Sequence, residues 1–337
     1  MTEPLPLGKL PIDFLARLLA QAPIQDPRVL YGPGIGLDCA VIDLGERLLV
    51  FKSDPITFAT DDIGWYAVQV NANDVATTGA EARWMLATLL LPEEATTPQA
   101  VEAIFAQLYR AAGALGISVV GGHTEVTYDL RRPVLVGTLI GEVERDRLIT
   151  PDRVQPGDRL LLTKGVPIEG TALLAREFPQ RLEGIFSEAE LEAARQFLYD
   201  PGISVVRDAR VAARAGRVTA MHDPTEGGLA GALWELAAAS GKKLVVDPGA
   251  VPVPDLARRA CAAFGIDPLQ TIASGALLLA AVPEDALGIR AALEREGIPC
   301  AEIGWVEAGE AGVWQANERP FARPLRDDIA KVYAEGN

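Results

Sequence analysis

Histidine is nearly absent from this chain, which has only His123 and His222 in 337 residues. Cysteine is almost as sparse, and Cys39, Cys261 and Cys300 lie far apart. An odd, dispersed set of this kind excludes a disulfide framework and a four-thiolate zinc site, and it suits a reducing cytoplasm. Positive charge is also in deficit. Against 46 acidic residues stand 31 basic ones, a net of −15. A nucleic acid or an anionic membrane would be repelled rather than steered in. The longest apolar run, Ala276 to Val282, falls far short of the roughly 20 residues that a spanning helix needs. The opening stretch MTEPLPLGKLPID has neither a basic leader nor an apolar segment, so no secretory signal is expected.

Apolar residues make up 49% of the chain, enough to bury a core in each of two domains. Periodicity predicts an amphipathic helix near Pro11–Ala20 and a hairpin of Ala40–Leu44 with Leu48–Lys52 around the turn Gly45-Glu46-Arg47. It continues with a helix over 62–79, a strand over Trp84–Leu91, a helix over Pro98–Leu115, and strands at Ile117–Val120 and Pro133–Val143. The segment Thr150–Asp158, with two prolines and a glycine, reads as the join between domains 1–150 and 151–337. Beyond it, helices are expected at 169–177, 188–198, 204–215 and 228–240, and strands at 159–164, 217–221, 243–246, 275–282 and 301–306. Both halves mix strands with crossover-length helices, so the expected class is α/β, built as α+β layers.

Five motifs carry candidate chemistry. In GPGIGLDCAVID (Gly32–Asp43) the glycines precede a strand, whereas a dinucleotide fold needs them to follow one and open a helix. A plain glycine turn remains open, as does a turn that aims Asp38 at a ligand. In KSDP (Lys52–Pro55) an apolar strand is expected to stop, leaving Asp54 either at a site or in an ordinary Asp-Pro turn. The stretch DIGWYAVQVNANDVATTGA places Asn71, Asp74 and Thr78 at i, i+3 and i+7, one polar stripe on an otherwise apolar helix. Solvated faces usually carry Lys, Glu and Arg, so this short amide-and-carboxylate stripe points to a ligand.

The two histidine motifs complete the set. GGHTE (Gly121–Glu125) follows a strand, and HDPTEGG (His222–Gly228) ends one strand and leads into a helix. Paired glycines let backbone N–H groups approach a phosphate, most favourably at a helix N-terminus. A lone histidine is more often a satisfied hydrogen bonder than a ligand, which leaves Asp223 the stronger functional candidate. GVPIEGT (Gly165–Thr171) has P-loop-like glycine spacing but no lysine; it is expected beside substrate or phosphate. Two carboxylates about 4 Å apart repel by roughly 4 kcal/mol at a protein-like dielectric. Asp38, Asp54 and Asp74 can therefore share a site only with a compensating cation. Hard oxygen ligands without clustered Cys or His suit Mg²⁺ with a nucleotide.

In this order, GIGLDCAVID, the Ser53-Asp54 pair, VNANDVATTGA, VVGGHTEV, MHDPTEGGLAGAL and TIASGALLLAAV resemble the superfamily of aminoimidazole ribonucleotide (AIR) synthetase, thiamine-monophosphate kinase, selenophosphate synthetase and the hydrogenase maturation protein HypE. The resemblance covers nearly the whole chain. It implies a two-domain PurM-like fold, in which the N-terminal domain forms a β-barrel with its copy in a homodimer and the C-terminal domain packs a mixed sheet with helices. It further implies ATP and Mg²⁺ as cofactors, with Asp38, Asp54 and Asp74 as metal ligands. Asn71, Gly121, Gly122, Thr124, Gly227 and Gly228 would lie around the nucleotide, and Asp54, His123 and Asp223 would act in catalysis. The expected activity is phosphoryl transfer or ATP-driven activation of an unidentified small molecule or protein group. The alternative is a non-catalytic nucleotide-binding scaffold that joins another maturation factor.

Departures from the relatives narrow these expectations. HypE chemistry uses a C-terminal cysteine where this chain reads Tyr333–Asn337. Selenophosphate synthetase has a thiol or selenol beside a lysine near its N-terminus, where only Lys9 stands here. Thiamine-monophosphate kinases carry an aspartate pair and GGDT at the positions of Leu37-Asp38 and His123.

Overall fold

The computed structural model describes Leu5, Leu10, residues 12–57 and residues 61–335; Lys9, Pro11, Gly336 and Asn337 lie outside the described residues. The chain divides into two compact units. The smaller comprises Ile24–Gly32 and Asp38–Leu148, and the larger takes the remainder, including Pro33–Leu37. Helix α1 (Ile12–Leu19) comes first and belongs to the larger unit.

The smaller unit runs β1 (Val29–Tyr31), β2 (Ala40–Asp43), β3 (Leu48–Ile56), α2 (Ile63–Thr77), β4 (Glu81–Pro92), α3 (Pro98–Leu115), β5 (Ser118–Thr127) and β6 (Val134–Val143). Its sheet has the order β1-β2-β3-β6-β4-β5, antiparallel except for the β4–β5 pair. A parallel pair needs a crossover, and α3 supplies it. The Thr97 hydroxyl caps α3 by accepting from the Ala100 N–H at 3.2 Å, and Pro98 starts it.

Strand alternation decides which side α2 covers. Leu48, Val50 and Ile56 of β3 and Leu135, Leu139 and Val143 of β6 are buried on the α2 side. Because α3 packs on its back, α2 is enclosed almost all round. At Gly64 the two helices touch: a Cβ there would stand 2.5 Å from the Ile104 carbonyl and 2.7 Å from the Leu108 nitrogen.

Two strands overrun their expected ends. β3 does not stop at Lys52 but continues to Ile56, paired with β6 throughout while β2 reaches only Phe51. Pro55 is tolerated there because that flank of β3 is an open edge. β5 does not stop at Val120 but runs to Thr127, so GGHTE is strand rather than a phosphate-side turn. Gly122 has φ +146°, and a Cβ would collide with the Ala87 backbone of β4. The sheet of the single chain is open, with β1 and β5 as edges, and the described residues close no barrel. Trp84, Leu86, Val120 and Val126 are exposed on β4 and β5.

The larger unit continues with β7 (Arg159–Thr163), α4 (Ile168–Glu177), α5 (Pro179–Leu182), α6 (Glu188–Gln196), α7 (Val206–Ala215), β8 (Val218–His222), α8 (Gly228–Ser240) and β9 (Lys243–Val246). It ends with α9 (Asp255–Phe264), β10 (Leu278–Ala281), α10 (Pro283–Arg295), β11 (Cys300–Glu307), β12 (Gly312–Gln315) and α11 (Ile329–Glu335). The sheet order is β12-β9-β11-β7-β10-β8, mixed, with only β12–β9 parallel. Leu229, Leu233 and Leu236 of α8 join Leu160 and Leu162 in a core on one face, while α7 and α10 pack on the other. Cover on both faces explains the uninterrupted Leu160-Leu161-Leu162. A second core gathers α4, α5, α6, α9 and α11 around Leu174, Leu182 and Phe264. No helix among the described residues is long and apolar enough to cross a membrane.

Gly64→Ala is expected to lower the unfolding free energy by about 1–3 kcal/mol in a urea titration, because backbone blocks the new methyl and α3 must shift. That loss exceeds the ~1 kcal/mol gained in helix propensity.

Candidate metal and nucleotide site

In the smaller unit, Lys52 and Asp54 occupy alternate positions of β3, in the row that also carries Leu48, Val50 and Ile56 towards α2. Asp74 of α2 faces them. The Lys52 ammonium lies 3.2 Å from Asp54 Oδ2 and 3.3 Å from Asp74 Oδ1. Burial by itself drives this amine towards its neutral form, but the charges of Asp74, Asp54 and Asp38 outweigh burial and hold its pKa well above the ordinary lysine value. Two of the three acids expected to share a cation, Asp54 and Asp74, thus share one already, supplied by the chain. The sequence signal for Lys52 was present in KSDP: residues i and i+2 of a strand point the same way.

Asn71, expected beside the nucleotide, is fully buried and engaged with backbone. Its Oδ1 accepts from the Asp54 N–H at 2.9 Å, and its Nδ2 donates to the Ala67 carbonyl at 2.8 Å and to the Asp54 carbonyl at 3.4 Å. Gly137, opposite Asp54 on β6, leaves room for the amide, since a Cβ would come within 2.5 Å of Nδ2. Asn71 therefore fixes the backbone that carries Asp54. The remaining stripe residue, Thr78, is also buried and donates its hydroxyl to the Val75 carbonyl at 2.7 Å. The polar stripe is interior, not a solvated face.

On the edge strand β5, Gly121, Gly122, His123 and Thr124 are exposed. His123 Nε2 lies 3.0 Å from Glu125 Oε2, two residues along the same side of the strand.

In the larger unit, β8 ends at His222, and the turn from Asp223 to Gly227 leads into α8. His222 Nε2 is 2.8 Å from Glu235 Oε2 of α8, and both His222 and Asp223 are buried. The α8 N-terminus, expected as an anion site, is met by the chain itself. The Gly227 N–H donates to Asp327 Oδ2 at 2.6 Å, that of Gly228 to the Thr225 carbonyl at 3.0 Å, and that of Ala230 to the Leu269 carbonyl at 2.9 Å. Gly228 has φ +62°, and a Cβ there would press on the Leu269 and Thr271 backbone at 2.7 Å. The Asp327 carboxylate thus takes a backbone donor of the first turn of α8.

The sequence reading missed two buried acids of this unit. Burial pushes Glu169 up to about 7, reinforced by the charges of Asp327 and Glu226 and opposed by a hydrogen bond with Ser274. Its Oε2 has no hydrogen-bond partner. Asp327 is raised to about 6, again by burial first, with hydrogen bonds from the Ile329 and Gly227 backbone opposing. Glu169 lies inside the GVPIEGT segment, but a single acid in an apolar run carries no signal of its neighbours. Cys39, Cys261 and Cys300 are free and buried, and burial pushes the thiols of Cys261 and Cys300 up to about 12, so neither is an activated nucleophile.

Residues 36–143 match the model of the AIR synthase related protein N-terminal domain, and residues 155–316 that of the C-terminal domain. The chain belongs to the AIR synthase related protein family. Within this family it is 31% identical to the carbamoyl dehydratase HypE of Azotobacter vinelandii over 293 residues, covering 84% of this chain and 82% of that protein. A solved structure of the hydrogenase maturation protein HypE in complex with ATP is 26% identical, with a TM-score of 0.68 over 92% of this chain and 89% of that one. The structure of AaThiL complexed with AMPPCP and TMP shares the fold, with a TM-score of 0.72 at 21% identity, over 94% of this chain and 95% of that one.

Asn71→Ala leaves the half-buried Asp54 N–H without its acceptor, and is expected to cost about 1–3 kcal/mol of unfolding free energy by urea titration. Glu169 gives a pH signature. From the ordinary carboxyl range up to about pH 7 the folded chain keeps a proton on Glu169 that the unfolded chain has released. Its contribution to stability is therefore lost as pH rises through that window. The wild-type-minus-E169Q difference in unfolding free energy should drop by about 2–3 kcal/mol between pH 5 and pH 8, and a flat difference contradicts the assignment.

Proposed function

We propose that this chain is an ATP-dependent enzyme of the AIR synthase/HypE type, which transfers the γ-phosphoryl group to, or activates with ATP, a small-molecule or protein acceptor. One observation carries the reading most: Asp54 and Asp74, with Asp38 in electrostatic range, converge on one point of the smaller unit. Their oxygens are the donor chemistry that Mg²⁺ takes. Asp38, Asp54 and Asp74 would hold the ion, which when bound neutralises phosphate charge. The other assignments are part of the same proposal, each within its own unit: in the smaller, Gly121, Gly122 and Thr124 serve nucleotide binding and His123 catalysis; in the larger, Asp223 serves catalysis, and Gly227 and Gly228 serve nucleotide binding by their lack of side chains, since their N–H groups are taken by Asp327 and Thr225. Asn71 serves by positioning Asp54.

The chemistry asked of the protein is mainly placement and charge neutralisation. The rigid frame of α2, β3 and β6 suits that task. Exposed Trp84 and Leu86, on the face of β4 opposite buried Met85 and Leu89, support a homodimer in which a second copy covers that face of the sheet. A cytoplasmic setting and a protein partner in maturation belong to the proposal as well.

Titration with Mg-ATP should show saturable binding and, at a hundredfold excess over Kd, about 2.7 kcal/mol of added stability. Asp74→Asn should weaken that binding at least tenfold. Absence of any Mg-ATP stabilisation, together with an unchanged Asp74→Asn variant, sinks the reading. Phosphate release with an added acceptor separates an enzyme from a nucleotide-binding scaffold, which binds without turnover.

A further inference from the structure

The mechanism of phosphoryl transfer gives no role to the most unusual charge in the smaller unit, a lysine in a core-facing row of a strand. An unpaired ammonium in such a position costs several kcal/mol, so Lys52 is retained because of what surrounds it. Its side chain is only 16% exposed, and its two ion-pair partners are the acids proposed to hold the metal. The charge count is simple. Asp54 and Asp74, which pair with the ammonium, contribute −2, Asp38 adds a third negative charge within electrostatic range, and Lys52 contributes +1, which leaves −2, the charge that one divalent cation neutralises. Without Lys52 the same acids would carry −3 and would hold divalent cations more strongly, with charge left over for part of a second.

We propose that Lys52 is a built-in counter-cation that sets the metal occupancy of the Asp38–Asp54–Asp74 cluster, standing in for a second divalent ion and restricting the cluster to one. A divalent ion at the cluster would compete with the ammonium for the charge of Asp54 and Asp74. The ammonium would act on such an ion through the two carboxylates it pairs with. Lys52 is thus a positioning residue. The inference rests on the metal reading of the three acids proposed above.

The test uses the full chain and Mn²⁺ alone, with free Mn²⁺ counted by electron paramagnetic resonance and melting followed in parallel. Wild type should bind one ion at the cluster. Lys52→Met, which keeps the apolar stem and removes the charge, should bind Mn²⁺ at least tenfold more tightly or take up a second ion. In EDTA it should melt below wild type, and Mn²⁺ should recover most of that loss. Lys52→Gln removes the charge but keeps a polar head for the two carboxylates and should show the same gain, so it carries the test even where Lys52→Met folds poorly, while Lys52→Arg, which keeps the charge, should stay at one ion with near wild-type affinity. Equal Mn²⁺ stoichiometry and affinity in wild type and Lys52→Met overturns the role of Lys52. Mn²⁺ binding to wild type that Asp74→Asn leaves untouched overturns instead the metal reading on which it rests.

Discussion

Charge enclosed beneath a helix is the constraint on which the smaller unit depends. An ammonium and its carboxylates gain strongly from one another in a weakly polarisable interior, but only while their spacing is kept. The frame that keeps it is tight. α2 is clamped between the sheet and α3, the missing side chain at Gly64 lets those helices touch, and Gly137 admits the Asn71 amide against β3. That amide holds the backbone of Asp54 from both its N–H and its carbonyl. Side-chain polarity here serves geometry first, and whatever chemistry the acids perform follows from it.

The larger unit handles two of its buried acids, Glu169 and Asp327, in another way. Asp327, close to the end of the chain, reaches the first turn of α8, while Asp328 accepts from the Asp267 N–H at 3.0 Å and the Asp328 N–H donates to the Gln270 carbonyl at 3.0 Å. The last described helix is thus stitched to the loop that also borders Gly228. With no lysine among the causes acting on them, Glu169 and Asp327 meet burial by holding protons further up the pH scale. The smaller unit balances its interior carboxylates with Lys52, whereas the larger unit pairs Asp208 with Lys164 at 3.4 Å but leaves Glu169 and Asp327 to protons.

Several elements were legible because their signals are local. Thr97-Pro98 and the apolar spacing behind them mark α3 from end to end, and Gly228–Ser240 reads as α8 without correction. Short or weakly patterned elements were not. β1 and β12 have three and four residues, and α9 hides its apolar stripe among alanines and arginines. Strand ends were misplaced where pairing partners decide them: β3 runs through Ser53-Asp54-Pro55 because β6 lies alongside, and β5 absorbs GGHTE because β4 accepts it.

By itself the sequence determined the α/β class, the family through six ordered motifs, and the residue types of the candidate site, because each of these is written in local spacing and chemistry. Tertiary structure decided what those residues face. It set Lys52 between Asp54 and Asp74, turned Asn71 from ligand contact to backbone clamp, and filled the α8 N-terminus with Asp327. Such partnerships join residues as far as 100 positions apart. No local pattern encodes them; they exist only once the packing of strands and helices brings the side chains within reach.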